Sequence, residues 1–249
     1  MPPREWFTDE HFWRDLYPFM FNEARQAEPA EQVGDLLALA DPRGRTALDL
    51  CCGPGRWSVV LARRGFTVTG VDRSPFLLEK ARRRADEMSV AIEFVEQDMR
   101  AFQRPGAYDL ALSMFTSFGY FADRDEDLAV LANLHRSLKP GGVLVIDLVG
   151  KERLARIFQP ASVEELADGS TLIERHQVID DWTRIRNEWI VLREDYVRTY
   201  NFELRVYSGQ ELRDRLERVG FDEVILCGDF AGTPYGLESP RLVAVARRR

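Results

Sequence analysis

The stretch Ala47-Leu48-Asp49-Leu50-Cys51-Cys52-Gly53-Pro54-Gly55-Arg56-Trp57 decides the fold. A short apolar run passes directly into two glycines around a proline, and then into a helical pattern. That order reads as a buried strand ending in a tight turn at a helix N-terminus. Glycine lets backbone approach a ligand closely, the helix start offers free N–H groups, and an open parallel sheet holds its ligands beyond the carboxyl ends of its strands. A nucleotide-bearing ligand is therefore expected at this turn.

The pattern repeats downstream. Trp57, Val60 and Leu61 continue the helix to a stop at Gly65, and Phe66 to Val71 forms a β-rich run ending in Asp72. An acid at the end of the second strand is placed to accept hydrogen bonds from both ribose hydroxyls of a nucleoside. Ser74 and Pro75 have the chemistry of an N-cap and a first helical residue, and Leu77, Leu78, Ala81 and Ala85 line the helix they open. A third strand, Ile92 to Glu96, leads into Gln97-Asp98-Met99-Arg100. There a carboxylate and a backbone N–H have the pairing that an adenine edge needs, although an ordinary loop acid is the plainer reading. A fourth strand, Tyr108 to Met114, runs into the aromatic and hydroxyl-rich loop Phe115 to Phe121. A leucine-rich helix then closes at Lys139-Pro140-Gly141-Gly142 before the strand Val143 to Val149.

Bulk properties narrow the function. With 249 residues, 45% hydrophobic and 30% charged, the chain suits one large domain, or one domain carrying an insertion. The net charge of −7 carries no electrostatic footprint for nucleic acid or an anionic membrane, so a small molecule is the expected partner. Three cysteines, two of them adjacent at Cys51 and Cys52, supply neither a disulfide framework nor a metal ligand set, and fit a reducing cytoplasm. No apolar run has the length of a membrane span, and Met1 to Asp9 lacks a signal-peptide core.

The ordered set of motifs resembles the class I S-adenosylmethionine-dependent methyltransferases. Asp49 with Gly53 and Gly55 is similar to that family's first motif, Asp72 to its ribose acid and Asp98-Met99 to its adenine motif. Leu138-Lys139-Pro140-Gly141-Gly142 is similar to the turn before its fifth strand, so the likeness covers Thr46 to Asp147. Ser113-Met114-Phe115-Thr116-Ser117-Phe118-Gly119-Tyr120 is similar to small-molecule members that include amino-sugar N-methyltransferases. The resemblance implies a Rossmann-like α/β three-layer sandwich, its sheet seven-stranded and mostly parallel with an antiparallel last strand. It implies S-adenosylmethionine as cofactor and S-adenosylhomocysteine as product, held by Asp49, Cys51, Gly53, Gly55, Asp72, Arg73, Asp98, Met99 and Met114. The acceptor is then nitrogen or oxygen of a small metabolite, and no metal is called for.

A nicotinamide enzyme competes for the same turn, but Ser58 stands where the dinucleotide fingerprint has its third glycine, and bulky Trp57 fills the turn. A non-catalytic cofactor-binding module and an aminopropyltransferase on a related fold also remain open. Methyl transfer asks mainly for alignment and exclusion of water. An amine acceptor needs only to arrive unprotonated, whereas a hydroxyl calls for a base. His11, His135 and His176 fall on a helix, a helix and a strand, none in a loop at the expected site. Tyr17, Tyr120 and Tyr235 are the candidates to orient an acceptor.

The flanks organise around this core. Residues 1–45 form a helical segment capping the site: a helix over Asp9 to Tyr17 broken by Pro18, a second through Phe19 to Ala24 ended by Pro29, and a third over Ala30 to Ala40. Residues 46–158 and 207–249 form the cofactor-binding core. Between them, residues 159–206 make an antiparallel β insertion with runs at Thr171 to Ile179, Trp182 to Leu192 and Tyr196 to Tyr207. Ile185, Trp189 and Val191, then Tyr200, Phe202, Leu204 and Val206, recur at alternate positions, so one face of the insertion is apolar. That face roofs the acceptor site or forms a dimer surface; monomer and homodimer are both compatible with the pattern. Calorimetric titration separates the cofactor classes: S-adenosylmethionine or S-adenosylhomocysteine binds at or below millimolar concentration, and clear NADH binding without either would contradict the assignment.

Overall fold

Strands that alternate with helices are joined by right-handed crossovers into a parallel sheet covered on both faces, and the central strands become apolar throughout. The computed structural model, which describes residues 5–249, has such a sheet, its strands alternating with helices through the core. The first four residues of the expected N-terminal segment, and of the stretch tested for a signal-peptide core, lie outside the described residues.

A 3₁₀ turn, Trp6–Thr8, precedes helices α1 (Glu10–Met20) and α2 (Glu23–Ala40). The core follows as β1 (Thr46–Leu50), α3 (Arg56–Arg63), β2 (Thr67–Asp72), α4 (Pro75–Glu87), β3 (Glu93–Glu96), β4 (Tyr108–Ser113), α5 (Arg124–Ser137), β5 (Leu138–Leu148) and α6 (Lys151–Ile157). Four strands make up the insertion: β6 (Ala161–Glu165), β7 (Thr171–Ile179), β8 (Arg184–Leu192) and β9 (Val197–Arg205). Then α7 (Gly209–Arg218), β10 (Phe221–Cys227) and β11 (Leu242–Arg248) complete the first sheet.

That sheet has seven strands in the order β10-β11-β5-β4-β1-β2-β3. Strand β1 lies between β2 and β4, parallel to both, with Ala47 paired to Val68 and to Leu110. The last strand, β11, runs antiparallel between β5 and β10, as expected. Alternate residues of the same strands feed two separate cores. Leu48, Ala111, Leu144 and Ile146 face α1, α5 and the insertion, while Ala47, Leu110, Val143 and Val145 face α2 and α3. Lys139 to Gly142 loops out between the pairs Tyr108–Leu138 and Leu110–Val143, so the expected turn is a bulge within β5.

Two expectations fail at prolines. Helix α1 continues through Pro18 and α2 through Pro29. Proline leaves the carbonyl four residues earlier without its helical donor. For Pro29 that carbonyl is Arg25 O, and the Arg56 guanidinium donates to it at 2.5 Å, replacing the missing bond. The third difference is β6, whose sequence Ala-Ser-Val-Glu-Glu is mostly exposed and carries no apolar alternation to read. It is held by pairing with β7.

The insertion is clamped to α1. Phe12 meets Tyr200 and Phe202 edge to face at 5.3 and 5.4 Å, and Phe19 meets Trp189 at 5.5 Å. Buried Asp15 accepts hydrogen bonds from Tyr200 Oη at 2.6 Å, Arg198 Nη1 at 2.7 Å and Tyr196 Oη at 3.0 Å. Removing that acceptor strands the buried Tyr200 hydroxyl, so Asp15→Ala is expected to cost about 1 to 3 kcal/mol. A fall in the urea midpoint at unchanged slope checks this, and an unchanged midpoint would mean that the clamp is energetically idle.

Candidate active site

At the carboxyl edge of the sheet the chain leaves β1 through three left-handed residues, Cys51 (φ +60°), Gly53 (φ +55°) and Gly55 (φ +74°), before entering α3. The Gly53 N–H donates to Asp72 Oδ2 at 2.8 Å, and the Ser74 N–H donates to Asp72 Oδ1 at 2.9 Å. One carboxylate at the end of β2 thus ties the loop after β1 to the N-terminus of α4. Asp49, near the end of β1, accepts from Ser58 Oγ of α3 at 2.6 Å. Both acids are buried, and burial pushes each carboxyl up to about 6 against the hydrogen bonds that favour the charged form.

The third loop supplies Asp98. Its carboxylate accepts from Arg100 Nη2 at 2.7 Å and Arg73 Nη1 at 2.8 Å, and from the Arg100 backbone N–H at 2.8 Å. Burial raises its pKa, but these donors together outweigh it and hold the group below the ordinary aspartate value.

These groups surround one cavity of about 70 Å³. Asp49, Cys51, Gly53 and Asp72 line one part, and Arg73, Asp98, Met99 and Met114 another. The Cys51 thiol sits 3.7 Å from the Met99 sulfur. Gly55 stands outside the lining: a Cβ there would come within 3.1 Å of Ala81, so its bareness serves helix packing.

A second cavity, of about 550 Å³, opens between the sheet edge and the inner face of the insertion. Met20, Phe115 and Tyr120 line both cavities and form the boundary between them. Of the three tyrosine candidates, Tyr120 alone lines these two cavities. Tyr17 packs against Phe21 and Phe76 beside Lys80, and Tyr235 donates to Glu152 Oε2 at 2.6 Å, fastening its loop to α6. Neither lines either of these two cavities.

The sequence reading passed over Arg56 and set His176 aside, yet both line a cavity. Arg56 opens α3, where the helix dipole disfavours a cation, and that misplacement was the available signal. Its guanidinium is only 5% exposed, lies 4.4 Å above the Phe115 ring and lines the smaller cavity. Desolvation lowers its pKa to about 10, against Glu28, Asp49 and Asp147, which favour the charge. His176 was set aside as a strand residue, but β7 brings it to the larger cavity with Nδ1 2.7 Å from Asn187 Oδ1. Of the remaining histidines, His11 is exposed, and His135 packs edge-on against Phe221.

Residues 47–142 match the family model described as a methyltransferase domain. Over 234 residues the chain is 26% identical to the putative methyltransferase YqeM of Bacillus subtilis (strain 168), covering 92% of this chain and 94% of that one. Residues 47–142 therefore carry a methyltransferase domain, and the chain is similar to the S-adenosylmethionine-dependent methyltransferases. Among solved structures, the fold of the chain is similar to a S-adenosylmethionine-dependent methyltransferase from Clostridium acetobutylicum ATCC 824, with a TM-score of 0.76, 16% identity and coverage of 96% and 98% of the two chains. It is also similar to CalS10, an amino pentose methyltransferase from Micromonospora echinaspora, with a TM-score of 0.68, 22% identity and 96% of each chain covered.

The donor set of the smaller cavity fits S-adenosylmethionine chemically. Asp72 spends one bond on each carboxylate oxygen and keeps lone pairs for hydroxyl donors, while Asp49 and Arg56 offer opposite charges to a zwitterion. Hydroxyl donors favour the carboxylate over the carboxylic acid. Because the free protein holds Asp49 and Asp72 at about 6, S-adenosylhomocysteine affinity is expected to rise as pH climbs through 6 and to level off above it. Asp72→Ala is expected to weaken binding by about 1 to 3 kcal/mol and to flatten this profile. Calorimetry from pH 5 to 8 checks both; unchanged affinity in the variant would mean that the cofactor lies elsewhere.

Proposed function

We propose that the methyltransferase moves the methyl group from S-adenosylmethionine, held in the smaller cavity, to nitrogen or oxygen of a small molecule seated in the larger one. The observation that carries this reading is the shared boundary of Met20, Phe115 and Tyr120, which separates a charged, ribose-suited cavity from an aromatic-walled one. A volume of about 550 Å³ is of the order of small-molecule pockets.

The residues take distinct parts. Asp72 holds the ribose hydroxyls, Asp98 and the Met99 N–H the adenine edge, and the Gly53 turn with Asp49 and Arg56 the amino-acid end. Cys51 and Met114 are apolar walls in this scheme, and Arg73 fixes Asp98 rather than meeting the ligand. The bound sulfonium supplies the activated methyl group. The protein then has to align the acceptor atom with the S–CH₃ bond and keep water out. Phe115 and Met20 do the second. Tyr120 contributes a hydroxyl whose pKa burial pushes well above the usual phenol value, so it orients a nucleophile as a neutral group and does not act as a phenolate base. An amine acceptor suits this arrangement, and the amino pentose chemistry named for CalS10 is of that kind.

At about 70 Å³ the smaller cavity is far below the several hundred Å³ of small-molecule sites, and Phe7, Trp13, Met20 and Phe21 occupy the remaining room. In this reading residues 5–45 are a cover that shifts to admit the cofactor and then seals it. Transfer of labelled methyl from S-adenosylmethionine across a panel of primary and secondary amines and alcohols tests the function. Product carrying the label is expected, and Tyr120→Phe is expected to lower kcat more than it changes cofactor affinity. Silence across the panel with cofactor binding intact would favour a non-catalytic binding module.

A further inference from the structure

The inner face of the insertion is not uniformly apolar. Antiparallel pairing sets Val178, Ile185 and Leu204 in one row and Leu172 with Val191 in another, but the rows between carry Glu174 beside Trp189, and His176 beside Asn187. All four of these intervening residues line the larger cavity. Polar side chains on a buried sheet face cost free energy unless they are paired. Asn187 is only 4% exposed, its Oδ1 is taken by His176 Nδ1 at 2.7 Å, and its Nδ2 has no partner among the described residues.

The same cavity gathers further buried donors without partners: Trp189 Nε1, Trp6 Nε1 and Arg153 Nε. An unpaired buried donor costs about 1 to 3 kcal/mol, so the cavity is built to receive oxygen acceptors. The His176–Asn187 pair specifies more. With Nδ1–H donating to Asn187, the imidazole keeps a lone pair on Nε2, and Asn187 keeps an N–H. A ligand group meeting both has to accept from one and donate to the other. A carboxylate only accepts and an ammonium only donates, whereas a hydroxyl does both.

We propose that His176 and Asn187 form the acceptor-recognition element of this methyltransferase, binding a hydroxyl group of a neutral, ring-bearing acceptor whose flat face lies on Phe115, Trp189 and Phe202. This rests on the reading of the larger cavity as the acceptor site. The pair are positioning residues: they fix which atom of the acceptor faces the boundary at Tyr120, and the aromatic walls supply apolar contact without direction.

The test uses the full chain with S-adenosylhomocysteine bound and three probes on one ring: trans-1,2-cyclohexanediol, cyclohexanecarboxylate and cyclohexylammonium. Ligand-observed NMR is expected to show the diol binding most tightly, and about tenfold more weakly to Asn187→Leu. Equal or tighter binding of the carboxylate or ammonium, an unaffected diol in the variant, or no diol binding overturns the proposal. Imidazole ¹⁵N shifts of the unsubstituted protein supply a readout free of any folding defect, with only three histidines to assign. His176 is expected as the Nδ1–H tautomer, and the Nε2–H tautomer overturns the assignment. If S-adenosylhomocysteine itself fails to bind, the methyltransferase reading falls and this proposal with it. Binding without preference for the diol overturns this proposal alone.

Discussion

The buried Asp72 carboxylate accepts the Gly53 and Ser74 N–H groups, and the ligand-binding edge of the sheet depends on that pair of bonds. A parallel sheet delivers every loop to its carboxyl edge but does nothing to hold the loops together. Here one side chain at the end of β2 joins the turn after β1 to the start of α4, and Asp49 joins β1 to α3 through Ser58. Both acids are buried with pKa values held near 6, so the charge that organises the loops is also the charge that a ligand's hydroxyl and amino groups stabilise.

Helix α1 is the second organising element, because it is a wall of both cavities and touches both sheets. Its Glu10 carboxylate accepts from Ser74 Oγ at the entry to α4, and its Asp15 carboxylate accepts from the tyrosines and arginine of the insertion. The second helix joins this arrangement through a defect: Pro29 frees the Arg25 carbonyl, and Arg56 of the glycine turn takes it. The N-terminal segment is thereby bonded to the walls of the smaller and of the larger cavity at once.

The parallel core was legible because its central strands are short apolar runs bounded by turn residues, and its helices carry apolar positions at matching spacing. Asp72 was legible from its position at a strand end. Tertiary placement was not. Tyr17 and Tyr120 look alike in sequence, yet only packing sends one to Phe76 and the other to the cavity wall. Pro18 and Pro29 read as breaks because local rules cannot see a partner such as Arg56 arriving from elsewhere. Asn187 lies between Ile185 and Trp189 on the inward face, and reading that face for apolar alternation passes over a polar residue that the register pairs with His176. Strand β6 had no pattern to find, since pairing alone shapes it.

The central claim is that the methyl group crosses the wall formed by Met20, Phe115 and Tyr120. A crystal structure with S-adenosylmethionine bound tests it most directly. The account predicts the ribose on Asp72 and the sulfonium methyl facing that wall and the cavity beyond it. A methyl group directed toward bulk solvent, or a cofactor bound away from Asp72, would contradict it.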